Sequence, residues 1–241
     1  MVDYALYCVM YVIMLNLLRL SVVMCLFLSS CQDSNGRDKA ARAKVEPQLT
    51  ELLTKQNLKF GSPVFIRAIK EDSVLELWMK PEGKDSYVLV KSYPIAKWSG
   101  ELGPKMKEGD GQTPEGFYRT TLKDLNPKSK FHLSFNIGYP NSYDRFLGRT
   151  GSFIMVHGSN ASIGCLAMTD EGIEEIYSLV EAGLRNGQAS VPVQIYPFVP
   201  SEVRLQKETD SPHYEFWKTL QKSWDYTEKN KMPAPNPFPA K

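Results

Sequence analysis

The sequence predicts a mostly β domain of the α+β class with one helix packed on its sheets. Three observations predict it. Between residues 63 and 93, apolar and polar side chains alternate with a period of two, and Gly, Pro and Asp punctuate the runs. From Thr169 to Gly187 the period becomes that of a helix. The run "VPVQIYPF", residues 191–198, is apolar on both faces, as a central strand is.

The chain opens on an apolar stretch, in which Arg19 is the only charge from Tyr4 to Leu28. Met14 starts a shorter peptide, with Arg19 near its front, an apolar run from Val22 to Leu28 and small residues before Cys31. That is the pattern of a secretory signal peptide over residues 1–30. "LSSC" resembles the bacterial lipobox, which makes Cys31 the lipidated residue of the mature chain. If translation starts at Met1, the apolar stretch lengthens and an uncleaved helical anchor is the alternative, since about 20 apolar residues span a bilayer. Residues 31–58 read as a tether with a short helix in "EPQLTELLTKQNL", where Leu49, Leu52 and Leu53 recur at helical spacing and Pro47 sits near the start.

The domain proper is read over residues 59–200. "PVFIRAIK" sets Val64, Ile66 and Ala68 against Phe65, Arg67 and Ile69, and "SVLELWMK" sets Leu75, Leu77 and Met79 against Val74, Glu76 and Trp78. "SYVLVKSY", "EGFYRTT", "FHLSFNI" and "SFIMVH" are further strands. In the helix after Thr169, one face carries Ile173, Ile176, Tyr177, Val180 and Leu184; Thr169 suits the N-cap, Asp170 and Glu171 the first turn, and Gly187 the end. Residues 201–226 form a helical extension around Phe216, Trp217, Leu220 and Trp224, and the proline-rich residues 227–241 read as an unfolded tail.

The composition, 42% hydrophobic and 23% charged, is globular. The net charge is +2, from 29 basic and 27 acidic residues without a basic stripe, which argues against a nucleic-acid partner. Of four cysteines, Cys8 and Cys25 fall in the leader and Cys31 at the lipobox, so Cys165 is left without an intramolecular partner. An unpaired cysteine is either an inert buried residue or a working thiol.

Cys165 lies in "HGSNASIGCLAMTD", residues 157–170. His157 closes a strand and Cys165 precedes the helix at Thr169. A nearby imidazole and a helix N-terminus both lower a thiol pKa. Gly164 allows the tight turn that lets backbone amides, its own and that of Cys165, face an oxyanion. Thiolate, imidazole and backbone donors are the minimum for acyl transfer, which calls for no cofactor. Ser162 either orients His157 or caps the loop. A structural zinc site needs four ligands; His132, His157 and Cys165 are too few, and His132 reads as a structural strand residue.

Four segments, "GDGQTPEGFY", "NIGYPNSYDR", "IMVHGSNASIGCLAMTD" and "VPVQIYPF", occur in the order seen in the L,D-transpeptidase catalytic domain (YkuD) family. With "SGELGPK" at residues 99–105, the resemblance runs from about Gly61 to Tyr226, and within the family it is to the YafK branch. It implies a β-sandwich or barrel with one helix packed after the catalytic cysteine and a C-terminal helix. It implies Cys165 as nucleophile, in a signature with Ser162 and Gly164, and His157 as base, paired with Gly158. Two positions depart from the common pattern: Ile163 replaces a His or Arg, and Ala167 replaces an arginine that helps hold substrate. Family members join peptidoglycan stems through diaminopimelate or join a lipoprotein to a stem. The YafK branch implies the reverse, hydrolytic release of a wall-bound lipoprotein. The expected partners are therefore peptidoglycan, a wall-attached lipoprotein and the membrane, with the chain in the periplasm and lipid-anchored to the outer membrane. The alternatives are a crosslinking transpeptidase or, given Ala167, an inactive wall-binding lipoprotein.

Around the cleft, Thr113 to Gly116 read as a scaffold turn. Tyr139, Asn141, Tyr143 and Arg145, with Gly158, are candidates to line the substrate groove. Arg145 either holds a substrate carboxylate or makes a fold contact with Asp144 or Tyr143.

Overall fold

The computed structural model describes residues 36–238. The signal-peptide, anchor and Cys31 readings lie outside these residues. Among the described residues no helix is long and apolar enough to cross a membrane.

The first sheet holds five strands: β1 (Val64–Ile69), β2 (Val74–Met79), β3 (Val88–Pro94), β4 (Gly116–Thr120) and β9 (Val191–Tyr196), in the order β3-β2-β1-β9-β4. The β9 strand is interior, as its apolar composition predicts; it runs parallel to β1 and antiparallel to β4. The second sheet is smaller: β5 (Leu125–Asn126), β6 (Ser134–Asn136), β7 (Met155–His157) and β8 (Leu166–Ala167), in chain order. The class is mostly β with a few helices, as predicted.

Alternation along β1 predicts one wet face, but all six residues are buried. Val64, Ile66 and Ala68 join the main core with α3 (Thr169–Arg185). On the opposite face Phe65 packs on Trp78 and Tyr87, and the Arg67 guanidinium lies 3.9 Å from the ring of Trp224 in α5 (Tyr214–Asn230). The burial of Arg67 is compensated because Glu76, opposite it on β2, and Glu228 accept its hydrogen bonds at 2.7 and 2.6 Å.

The α3 face named from periodicity is buried, and so is much of the rest of the helix. The cover is α1 (Arg37–Thr54), which packs along it. This helix begins at Arg37, inside the stretch read as tether, and Pro47 lies in its interior. Its buried residues, Ala41, Val45, Leu49 and Leu53, recur every fourth position. Burying each of the three larger ones contributes about 1.5–3 kcal/mol, enough to hold a helix whose other faces are charged.

The C-terminal segment also departs from expectation. After the short α4 (Glu202–Gln206), the α5 helix runs to Asn230, and residues 231–238 after it pack against the domain rather than hang free. Ala234 and Phe238 are buried in a second core with Phe117, Tyr196, Phe198 and Trp217. Phe238 stacks on Tyr143 and Phe216, and the Ala234 carbonyl accepts a bond from Gln194 at 3.0 Å. The two aromatic contacts of Phe238 offset the entropy that the prolines already reduce.

Candidate active site

The second sheet brings the sequence candidates together. β7 and β8 are parallel, with Val156 opposite Leu166 and His157 opposite Ala167. Cys165, one residue before Leu166, therefore lies beside Met155, two residues from His157 on the same strand face. The Met155 N–H donates to the Cys165 sulfur at 3.4 Å. Cys165 and His157 line one cleft of about 460 Å³, with Lys105, Glu108, Phe131, Phe153 and Ile163 among its walls.

His157 is 2% exposed. Its Nδ1 is 2.5 Å from the Gly158 carbonyl. A carbonyl only accepts, so Nδ1 carries the proton and Nε2 keeps its lone pair. The Phe131 ring lies 4.7 Å from the imidazole and fixes its plane. Burial lowers the His157 pKa, and the Gly158 bond opposes that in part. Burial raises the Cys165 pKa, against the Met155 N–H and the charge of Lys105. Both directions favour the neutral thiol and the neutral imidazole, and the rise at Cys165 is opposite to the lowering expected from the sequence. The helix start is not the sulfur's donor either; the N–H comes from β7.

The turn before Cys165 is tied by side chains. Ser162 Oγ donates to the Cys165 carbonyl at 2.7 Å and accepts the Gly164 N–H at 3.2 Å. Ser162 is therefore the tie of the loop and not the orienter of His157. It also takes the Gly164 amide out of any oxyanion hole. Gly164 has φ +134°, and a Cβ there would come within 3.3 Å of the Gln112 carbonyl and of Ile154, so glycine is required. Thr113 Oγ1 adds a bond to the Cys165 carbonyl at 3.4 Å and accepts the Ser99 N–H, which fits its scaffold reading. Beneath it, buried Lys70 reaches Glu115, the Thr113 carbonyl and the Gly103 carbonyl, and Glu115 accepts the Trp217 indole N–H at 2.8 Å.

The groove candidates lie elsewhere. Gly158 is a packing glycine: its N–H donates to the Phe131 and Leu133 carbonyls, and a Cβ would meet Asp170 at 2.5 Å. The Tyr139 hydroxyl donates to the Lys105 carbonyl at 3.0 Å from behind the cleft. Asn141 caps α2 (Ser142–Phe146) and bonds the Phe117 carbonyl. Tyr143 stacks on Phe238, and Arg145 donates to the Pro140 carbonyl. Asn141 and Arg145 line a different cleft, against the C-terminal segment. Position 167 is a fully buried alanine, bonded through its backbone to Lys97 and Ala96, so the family's arginine has no open place there.

Sequence reasoning missed Lys105, Glu108, Phe131 and Phe153. Lys105 ends the "SGELGPK" segment, which was its only signal. Phe131 was read into a strand; instead it sits on a loop where His132 has φ +66°. That loop is clamped by Arg37 of α1, which donates to the Ser129 and His132 carbonyls at 2.8 and 2.6 Å. His132 bonds Glu174 at 2.9 Å, a structural role as predicted.

Comparison with known proteins gives the same picture of the domain. Residues 73–195 match the family model described as the L,D-transpeptidase catalytic domain, YkuD. The chain is 44% identical over 179 residues to YafK of Escherichia coli strain K12, whose name places it among the L,D-transpeptidases; the match covers 74% of this chain and 72% of that one. Among solved structures, the helical cell shape determining protein Pgp2 of Campylobacter jejuni aligns with TM-score 0.45 and 21% identity, covering 76% of this chain and 64% of that one. Bd1075 of Bdellovibrio bacteriovorus aligns with TM-score 0.40 and 22% identity, covering 69% and 58%.

Proposed function

The chain belongs to the L,D-transpeptidase catalytic domain (YkuD) family, and from that premise we propose that it is a periplasmic cysteine hydrolase of peptidoglycan-linked lipoprotein. It acts on the bond through which diaminopimelate holds a lipoprotein to the stem peptide. Lipidation at Cys31 and an outer-membrane location belong to the same reading. The observation that carries it is the pair itself: a thiol and an imidazole with a free Nε2, in one cleft, the imidazole on β7 and the thiol just ahead of β8.

The geometry supports a simple course. His157 Nε2 takes the Cys165 proton as the sulfur attacks the carbonyl, so the base works on a neutral thiol. The Cys165 N–H remains as a backbone donor to the oxyanion, since the Gly164 N–H is engaged. The leaving amine takes its proton from His157, and water resolves the thioester.

Incubation with wall sacculi, followed by mass analysis of released proteins and stems, tests the reaction. Free lipoprotein with hydrolysed stems is the expected product. Cys165→Ala is expected to lose on the order of 10⁴ or more in rate. New crosslinks in place of release, or full activity in Cys165→Ala, would end this reading.

A further inference from the structure

The turn before Cys165 has one amide fewer for an oxyanion than its sequence suggests, because the Gly164 N–H is held by Ser162. The cleft contains another donor. Among the described residues Lys105 is the only lysine or arginine lining it, and the side chain is 3% exposed. The surroundings hold it in place. Its ammonium donates to the Lys107 carbonyl at 2.9 Å and to the Asp110 carboxylate. Asp110 is itself fixed by the N–H groups of Met106, Lys107 and Gln112, at 2.9, 3.0 and 3.0 Å. The stem passes Gly151, where a Cβ would come within 2.8 Å of Lys105 Cε. An ammonium has three protons, and these two acceptors use two of them.

We propose that Lys105 is a catalytic residue of the Cys165 site, whose remaining N–H and charge meet the substrate oxygen that turns negative when the sulfur adds. The assignment rests on the Cys165–His157 reading above. In the step, the thiol proton passes to His157 Nε2, the Sγ–C bond forms, and the carbonyl π pair moves onto oxygen. Lys105 and the Cys165 N–H hold that oxygen. The pair then returns, the C–N bond breaks, and His157 protonates the leaving amine. Lys105 keeps its own proton throughout. A fixed cation whose own side chain is buried is strongest where charge develops, and it needs no reorganisation at that moment. The same charge favours the thiolate over the thiol. The other titratable groups around the sulfur are His157 and Glu108 on the cleft walls, with Asp110 behind Lys105.

The test uses the full chain on soluble wall fragments. Lys105→Met is expected to lower kcat on the order of 10²–10³ with little change in KM, and Lys105→Arg to recover part of it. Iodoacetamide alkylation of Cys165 should move to higher pH in Lys105→Met. Asp110 is left unpaired in that variant, so Lys105→Met with Asp110→Asn is measured beside it and should lose kcat to the same extent. The alkylation needs no turnover, so the two readings fail separately. Full release by Cys165→Ala removes the enzyme reading. An unmoved alkylation profile, or a kcat within about threefold of wild type in either folded variant, overturns the role of Lys105.

Discussion

The two sheets hold their residues by different means. In the first, β1, β2 and β9 have six residues each and pair in continuous ladders, apart from one register shift between β2 and β3. In the second, no strand exceeds three residues. What fixes the second sheet near the cleft is side-chain chemistry: Ser162 and Thr113 on the Cys165 carbonyl, the Gly158 carbonyl on His157, and the Phe131 ring against it. The first sheet is a scaffold whose position is set by hydrophobic burial. The second places reactive groups at strand ends, where the chain opens to a ligand but rests on a rigid base.

That contrast can be broken at several points. His157→Ala should have the largest effect, a loss on the order of 10³–10⁴ in kcat per folded molecule, beyond the stability lost with a buried ring. A fall in stability with kcat per folded molecule left near wild type would make His157 part of the scaffold. Leu77→Ala, in the first sheet, should do the reverse: about 2–5 kcal/mol of stability is lost in denaturant unfolding, while activity per folded molecule persists. Gly164→Ala comes next, at about 1–3 kcal/mol of backbone strain, and the strain should appear in Cys165 alkylation rate as well as in unfolding. Ser162→Ala should be mildest, about 1 kcal/mol, with a modest fall in kcat as the turn loosens.

The pH profile sharpens the same comparison. Burial depresses the His157 pKa, so its neutral, active form persists below the ordinary value of 6.5. The acid limb of kcat/KM should therefore fall below pH 6.5, as protonation removes the base. An acid limb at or above that value would assign it to another group.

Local pattern made much of the scaffold legible. The α3 face from Ile173 to Leu184 and the strand character of residues 64–79 follow from period alone. The burial of Arg67 does not, because its cover comes from Trp224 and Glu228, far along the chain. The extent of α1 was hidden because Ala41 and Val45 stand in a stretch of alanines and charged residues with no large apolar stripe. At the site, Cys165 and His157 stood out by chemistry. Tyr139, Asn141, Tyr143 and Arg145 did not reach the cleft, because sequence gives no sign of which way the loop after β6 turns. Lys105 had no periodic context at all; only its ties to Asp110 and the cleft reveal it.

The Arg37 clamp bears on how the protein is cut for study. A fragment started at residue 59, just ahead of β1, keeps both sheets but discards α1, and with it both bonds that steady the loop carrying Phe131. Such a truncated piece could keep its nucleophile and still assay as dead, because the aromatic plate against the imidazole has lost its mooring.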